Sequence, residues 1–306
     1  MKFKPLIGAT LGLLLLLLSC TAQTPKTQAR PTVVVTYSLL GSLVKDLVGD
    51  EFEVHVSLPN GLDVHEWEPS AKDIEALNKA ALIVRNGLGL EGGMERALTQ
   101  AQAAGVPQFV ASDFIVVRTV KSGQGLPTGD PDQAVGAQDP HLWMDPLRMK
   151  AIVQALAVAL KTRFGTDLST RAADLASRLD ALDARVRAKV DALPPEKRLL
   201  VTGHESLGYF ADAYGFTLVG AIVPSLTDQA EVSAADMAGL KKTIQRTKVR
   251  VIFTELGTPP KVADALGREL GLKVVEITTH ALGPDSSYFT FLETLSDTVV
   301  GALAES

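Results

Sequence analysis

Short β-branched runs alternate with helix-length stretches along most of the chain, and one stretch, Thr170 to Leu193, runs 24 residues without Gly or Pro before Pro194-Pro195 stops it. The alternation predicts an α/β architecture with parallel sheets. Strands are expected at 32–36, 52–58, 81–85 and 107–111, and again at 198–202, 217–223, 249–254 and 273–278. Helical spacing of apolar residues fills the intervals, with Ser70-Ala-Lys-Asp73 reading as a capping box and Ser233 as a helix cap. At ~1.5 Å per residue the long run makes a helix of about 36 Å, either an ordinary packed helix or a rod joining two lobes. The 306 residues suffice for roughly two domains at the usual size. The expected division is an N-terminal lobe over 32–169, a linking helix over 170–193 and a C-terminal lobe over 194–306. No residue-level repeat relates the halves, so their likeness is architectural.

The first residues are an address. MKFKPLIGATLGLLLLLLSC carries Lys2 and Lys4, an apolar run from Leu11 to Leu18, and then Ser19 and Cys20. This is the pattern of a secretory signal peptide over 1–19, with an apolar core short for a bilayer; the alternative is a short membrane anchor. Leu17-Leu18-Ser19-Cys20 resembles the lipobox of bacterial lipoproteins, which implies lipid attachment at Cys20 and a polar tether over 20–31. The mature protein would then sit outside the cytoplasmic membrane, in the periplasm or on the membrane's outer face. Loss of Lys2 and Lys4 takes the net charge from −5 to −7. An acidic chain is a poor partner for nucleic acid.

Cys20 is the only cysteine, which excludes a disulfide framework and Cys-rich zinc or iron–sulfur sites. Any metal must be held by His and carboxylates, and there are five His. His55 falls inside an alternating strand and reads as a strand residue. His65 lies in the loop after the second strand, His141 just before a helix start, and His204 and His280 directly after strands. In parallel α/β sheets the loops leaving the strand C-termini gather at one edge, where ligands bind. Two His lie in each half, so all four are placed to converge between the lobes. Four imidazoles suit zinc and other first-row metals, and four protein ligands make a closed binding site.

The sequence resembles the metal-specific solute-binding lipoproteins of bacterial ABC importers, zinc-uptake type. Pro59-Asn-Gly-Leu-Asp-Val-His65-Glu-Trp-Glu-Pro-Ser70 is similar to the first ligand motif, with Val64 in place of its common proline. Asn86-Gly-Leu-Gly-Leu-Glu91 resembles a framework segment. Asp139-Pro-His141-Leu-Trp-Met-Asp-Pro146 and Gly203-His204-Glu-Ser-Leu-Gly-Tyr-Phe210 resemble the second and third motifs, and Thr279-His280-Ala-Leu-Gly283 stands at the fourth.

The resemblance implies two α/β lobes joined by one long helix, with Zn2+ between them and a membrane permease as the partner that receives it. The protein is expected to be a monomer and no enzyme. His204 at the third position favours zinc over manganese, which stays the alternative. The fourth ligand of the family is commonly Asp, so Asp285 is an alternative to His280. Zinc on four neutral imidazoles keeps its +2 charge, and Glu66, Glu205 or Asp285 are expected to compensate from the surroundings. Trp67 and Trp143 are expected either to wall the site or to serve in core packing. Residues 119–138 lack the His of a metal-collecting loop. Affinity is expected to fall as pH drops through about 6.5, the unperturbed His value. Two other readings stay open: a zinc hydrolase with three His, a water, and Glu205 or Glu66 as base, which lacks a supporting H-E-x-x-H helix, and a surface adhesin.

Overall fold

The computed structural model describes residues 30–121, 135–227 and 232–306. The expected signal peptide, Cys20, nearly all of the expected tether and most of the loop at 119–138 lie outside these residues. In the first half, β1 (Thr32–Val35), β2 (Glu53–Val56), β3 (Leu82–Arg85) and β4 (Gln108–Val110) form a parallel sheet of order β2-β1-β3-β4. Helices α1 (Ser38–Val48), α2 (Ala71–Lys79) and α3 (Glu95–Ala103) make the crossovers. Then come α4 (Pro146–Phe164) and α5 (Ser169–Asp191), the latter covering the long Gly- and Pro-free run.

The second half repeats the plan. Strands β5 (Leu199–Thr202) and β6 (Thr217–Ala221) pair in parallel, as do β7 (Val251–Thr254) and β8 (Lys273–Glu276), and β5 lies beside β7. The strands thus lie in the spatial order β6-β5-β7-β8, matching the first sheet, with hydrogen-bonded ladders within the pairs β5-β6 and β7-β8. Helices α6 (Gly208–Tyr214), α7 (Ala234–Thr247), α8 (Pro260–Leu270) and α9 (Tyr288–Ala304) complete it. Both expected caps form: Ser70 with Asp73 opens α2, and Ser233 with Asp236 opens α7, each a reciprocal capping box.

Helix α5 is packed, not a free rod. Leu175, Leu179, Leu182, Val186 and Val190 are buried along one side of it, and they join a core that includes Val33 and Val35 of β1 and Leu200 of β5. The opposite sheet faces have their own clusters, around Val34, Leu77 and Leu98 in the first half and Val201, Leu240 and Ile252 in the second. Each sheet is therefore covered on both faces, which is why its strands read as continuous apolar runs. All eight strands run parallel to their partners, so the exits of each sheet collect at one edge.

Candidate metal centre

Each of the four loop histidines is carried to the site by a strand exit or a helix start. Beyond β2 the ladder continues through Leu58, and in the loop that follows the Asp63 carboxylate accepts the backbone N–H of His65 at 2.7 Å. His141 stands before the turn that leads into α4, which Asp145 caps by accepting from Leu147 N. His204 follows β5 and His280 follows β8. All four are buried: 8% of His65 is exposed, 0% of His141, 1% of His204 and 5% of His280. His55 stays in β2, opposite Val34, and is not one of the group.

The four side chains each present one ring nitrogen, and these nitrogens all lie within 4.8 Å of one another. His141 Nε2 is 3.3 Å from His65 Nε2 and 3.2 Å from His204 Nε2. A tetrahedron with zinc–nitrogen bonds of 2.0–2.1 Å has edges of about 3.3–3.4 Å, which the two distances from His141 match. Partners at the other ring nitrogens set the tautomers. His141 Nδ1 donates to Asp139 Oδ1 at 2.8 Å, which leaves its Nε2 with a lone pair. His280 Nδ1 lies 2.8 Å from Thr279 Oγ1, and its Nε2 is buried without a hydrogen-bond partner. His204 Nδ1 lies 3.1 Å from Glu255 Oε1.

Burial, reinforced by the neighbouring imidazoles, holds His65 and His141 well below the usual histidine range and pushes His280 down to about 3. Three of the rings, His65, His141 and His280, are thus neutral and ready to ligate well below pH 6.5, and for these three the acid loss of affinity expected at about that value moves to lower pH. Burial also pushes the Asp139 carboxyl up to about 6 against the pull of Arg118. For Glu255 burial works in the same upward direction, but His204, His280 and the Thr279 hydroxyl outweigh it and hold the carboxyl well below its ordinary value.

The surroundings hold the imidazoles in place. Buried Glu91 accepts from Asn86 N, Gly87 N and Thr36 Oγ1, while Asn86 Nδ2 donates to Pro140 O beside His141. Gly87 has φ +86°, and a Cβ there would meet Ser112 Oγ at 2.5 Å, so this turn requires glycine. Trp143 is fully buried, 5.3 Å from the His141 ring and 5.6 Å from the His280 ring. Its Nε1 donates to Thr279 O at 2.9 Å, which ties the two halves together beside the site. Trp67 is half-buried and packs against the core.

The acidic residues singled out in the sequence lie elsewhere. Glu66 is exposed; Glu205 is buried, with its backbone N–H bonded to Ser225 O, but stands outside the group of four. Asp285 accepts from Ser287 N and Thr290 Oγ1 at the start of α9, away from the imidazole cluster. Of the carboxylates around the site, Asp139 lies against His141 and Glu255 against His204. Glu255 has a legible signal in that it directly follows β7, the kind of strand exit that also delivers His204 and His280.

Residues 33–302 match the family described as zinc-uptake complex component A, periplasmic. The chain belongs to this family. Among its relatives, the zinc-binding protein TroA of Treponema pallidum (strain Nichols) is 31% identical over 291 residues, covering 90% of this chain and 89% of that protein. The iron ABC transporter substrate-binding lipoprotein MtsA of Streptococcus pyogenes serotype M6 is 25% identical over 99% of each chain. The manganese ABC transporter substrate-binding lipoprotein PsaA of Streptococcus anginosus is 24% identical over 89% of each. The solved structure of periplasmic TroA superposes with a TM-score of 0.75 at 29% identity, covering 90% of this chain and 99% of that one. Zinc-, iron- and manganese-named proteins are thus all similar to this chain, and membership of the zinc-uptake component A family leaves the choice of ion to the donor set. Among the described residues no helix is long and apolar enough to cross a membrane.

Proposed function

We propose that this protein is a zinc receptor outside the cytoplasmic membrane, tethered through lipid at Cys20, which captures Zn2+ with His65, His141, His204 and His280 and hands it to the permease of an ABC importer. The observation that carries this reading is the cluster of four buried histidines whose ring nitrogens lie within 4.8 Å of one another, two of the distances being 3.2–3.3 Å. An all-nitrogen shell suits zinc, whereas manganese favours oxygen donors. Four protein ligands leave no position for a catalytic water, which favours capture over hydrolysis. The tether rests on residues 1–20 and on the lipoprotein names of MtsA and PsaA.

Titration of the purified protein with zinc and with manganese, followed by calorimetry, tests the reading. One Zn2+ per chain is expected, bound more tightly than Mn2+, with binding lost in His280→Ala and kept in Asp285→Ala. Preference for manganese, or loss of zinc in Asp285→Ala alone, would overturn it.

A further inference from the structure

Zinc held by four neutral imidazoles keeps its +2 charge, and a buried ion is costly unless an opposite charge stands near. Two fully buried carboxylates contact these imidazoles, and they are not equivalent. Asp139 is already paired, because Arg118 Nη1 lies 3.1 Å from its Oδ2 and both side chains are almost wholly enclosed. Glu255 is likewise enclosed, yet among the described residues its only ion-pair partner is His204. Asp63, half-buried at the His65 loop, is the other anion felt by the imidazoles.

Glu255 reaches both histidines of the second half. Its Oε1 accepts the His204 N–H at 3.1 Å and lies equally near His204 Nδ1, while Ser206 Oγ donates to Oε2 at 2.8 Å. The Thr279 hydroxyl, which helps hold the same carboxylate ionised, lies 2.8 Å from His280 Nδ1, so Glu255 and His280 share a neighbour. This placement follows from topology, since β7 runs between β5 and β8 and its exit falls between theirs. The fit is close: a Cβ on Gly203 would stand 1.9 Å from Thr258 Oγ1 and 3.0 Å from Glu255 Cγ, so the His204 loop comes this near only because residue 203 is glycine.

Resting on the zinc-receptor reading, we propose that Glu255 is the counter-charge of the site, a positioning residue that holds His204 and His280 and supplies from behind them the buried negative charge that the four-imidazole shell lacks. It does from outside the shell what an aspartate at position 280 would do from within. Its contribution to zinc affinity is therefore electrostatic as well as geometric, and the charge can be moved.

The test is zinc affinity by chelator competition, with thermal unfolding of the metal-free protein measured in parallel. Glu255→Gln is expected to weaken zinc by about 10–100-fold, the usual effect of losing a partner behind a ligand, and Glu255→Asp, which keeps the charge, by clearly less. Adding His280→Asp to Glu255→Gln is expected to restore about tenfold or more of that loss, whereas His280→Asp with Glu255 present gives no gain. Zinc affinity unchanged in Glu255→Gln overturns the inference. So does a loss that His280→Asp does not restore and that falls in step with apo stability, which would make Glu255 a brace and nothing more. Failure of the parent protein to bind zinc at all overturns the receptor reading itself; binding that needs the four histidines but ignores Glu255 overturns this inference alone.

Discussion

The two halves of the chain share one sheet order and each contributes two imidazoles, but they hold them in different ways. In the first half His141 leans on Asp139, whose charge is matched by Arg118, and its loop is fastened by Asn86 and Glu91. In the second half one carboxylate, Glu255, is tied to both His204 and His280 and has no cation besides His204 among the described residues. Behind His141 the support is therefore charge-balanced before any ion arrives, whereas behind His204 it is one whose charge balance the ion would complete.

The most severe way to break that contrast is to strike the first half. Arg118→Met leaves Asp139 buried without its cation, and removing one partner of a buried pair costs about 3–5 kcal/mol. Denaturant unfolding of the metal-free variant is expected to show that loss. Zinc should also raise the melting temperature of Arg118→Met more than that of the parent, because the released Asp139 charge then faces the ion; an equal rise would mean the halves do not differ as described. Trp143→Ala is expected to cost a similar ~3–5 kcal/mol, since it empties a fully buried ring position and removes the bond to Thr279 O that joins the halves. A loss below about 1 kcal/mol would show that the halves are held together elsewhere.

Acid strikes both halves at once. The depressed values of His65, His141 and His280 mean that below pH 6.5 the unfolded chain binds more protons than the folded one. Stability of the metal-free protein is thus full above that value and is lost as pH falls, by up to about 1.4 kcal/mol per pH unit for each such histidine. Protons compete with zinc for His65, His141 and His280 only at lower pH, so these three rings should not weaken zinc binding as pH drops through 6.5. Titrations between pH 8 and 5 check both; an affinity that falls through 6.5 with the slope of more than one proton would mean exposed, ordinary imidazoles.

The mildest test touches only the rim between the halves. Asn60 Nδ2 donates to Leu282 O at 2.9 Å and Asn60 Oδ1 accepts from Leu282 N at 2.8 Å, a reciprocal clasp between the loops bearing His65 and His280. Asn60→Ala should cost about 1 kcal/mol, as for an exposed hydrogen-bonded contact, and speed zinc release in stopped-flow chelation by several-fold. An unchanged release rate would show that these loops do not part when the ion leaves.

Local patterns carried a good deal of this. Ser70 with Asp73, Ser233 with Asp236 and the 169–191 helix are legible because caps and helical spacing depend on residues three or four apart. The four site histidines are legible because parallel strands send their exits to one edge. What escaped was the partnership of His204 with Glu255, 51 residues away, and of Asp139 with Arg118, 21 residues away. No local rule ranks Glu255 above Glu205 or Glu66, which adjoin His204 and His65 in sequence.

Sequence alone thus determined the α/β order, the supply of imidazoles and the absence of thiols, all of which are properties of residue type and short-range spacing. Tertiary structure alone decided that α5 is core, that Asp285 serves the start of α9, and which anions stand behind the imidazoles. The physical reason is range: caps and periodicity act along the backbone, whereas charge compensation and pKa depend on burial and on through-space distances that exist only once the sheets have closed around the site.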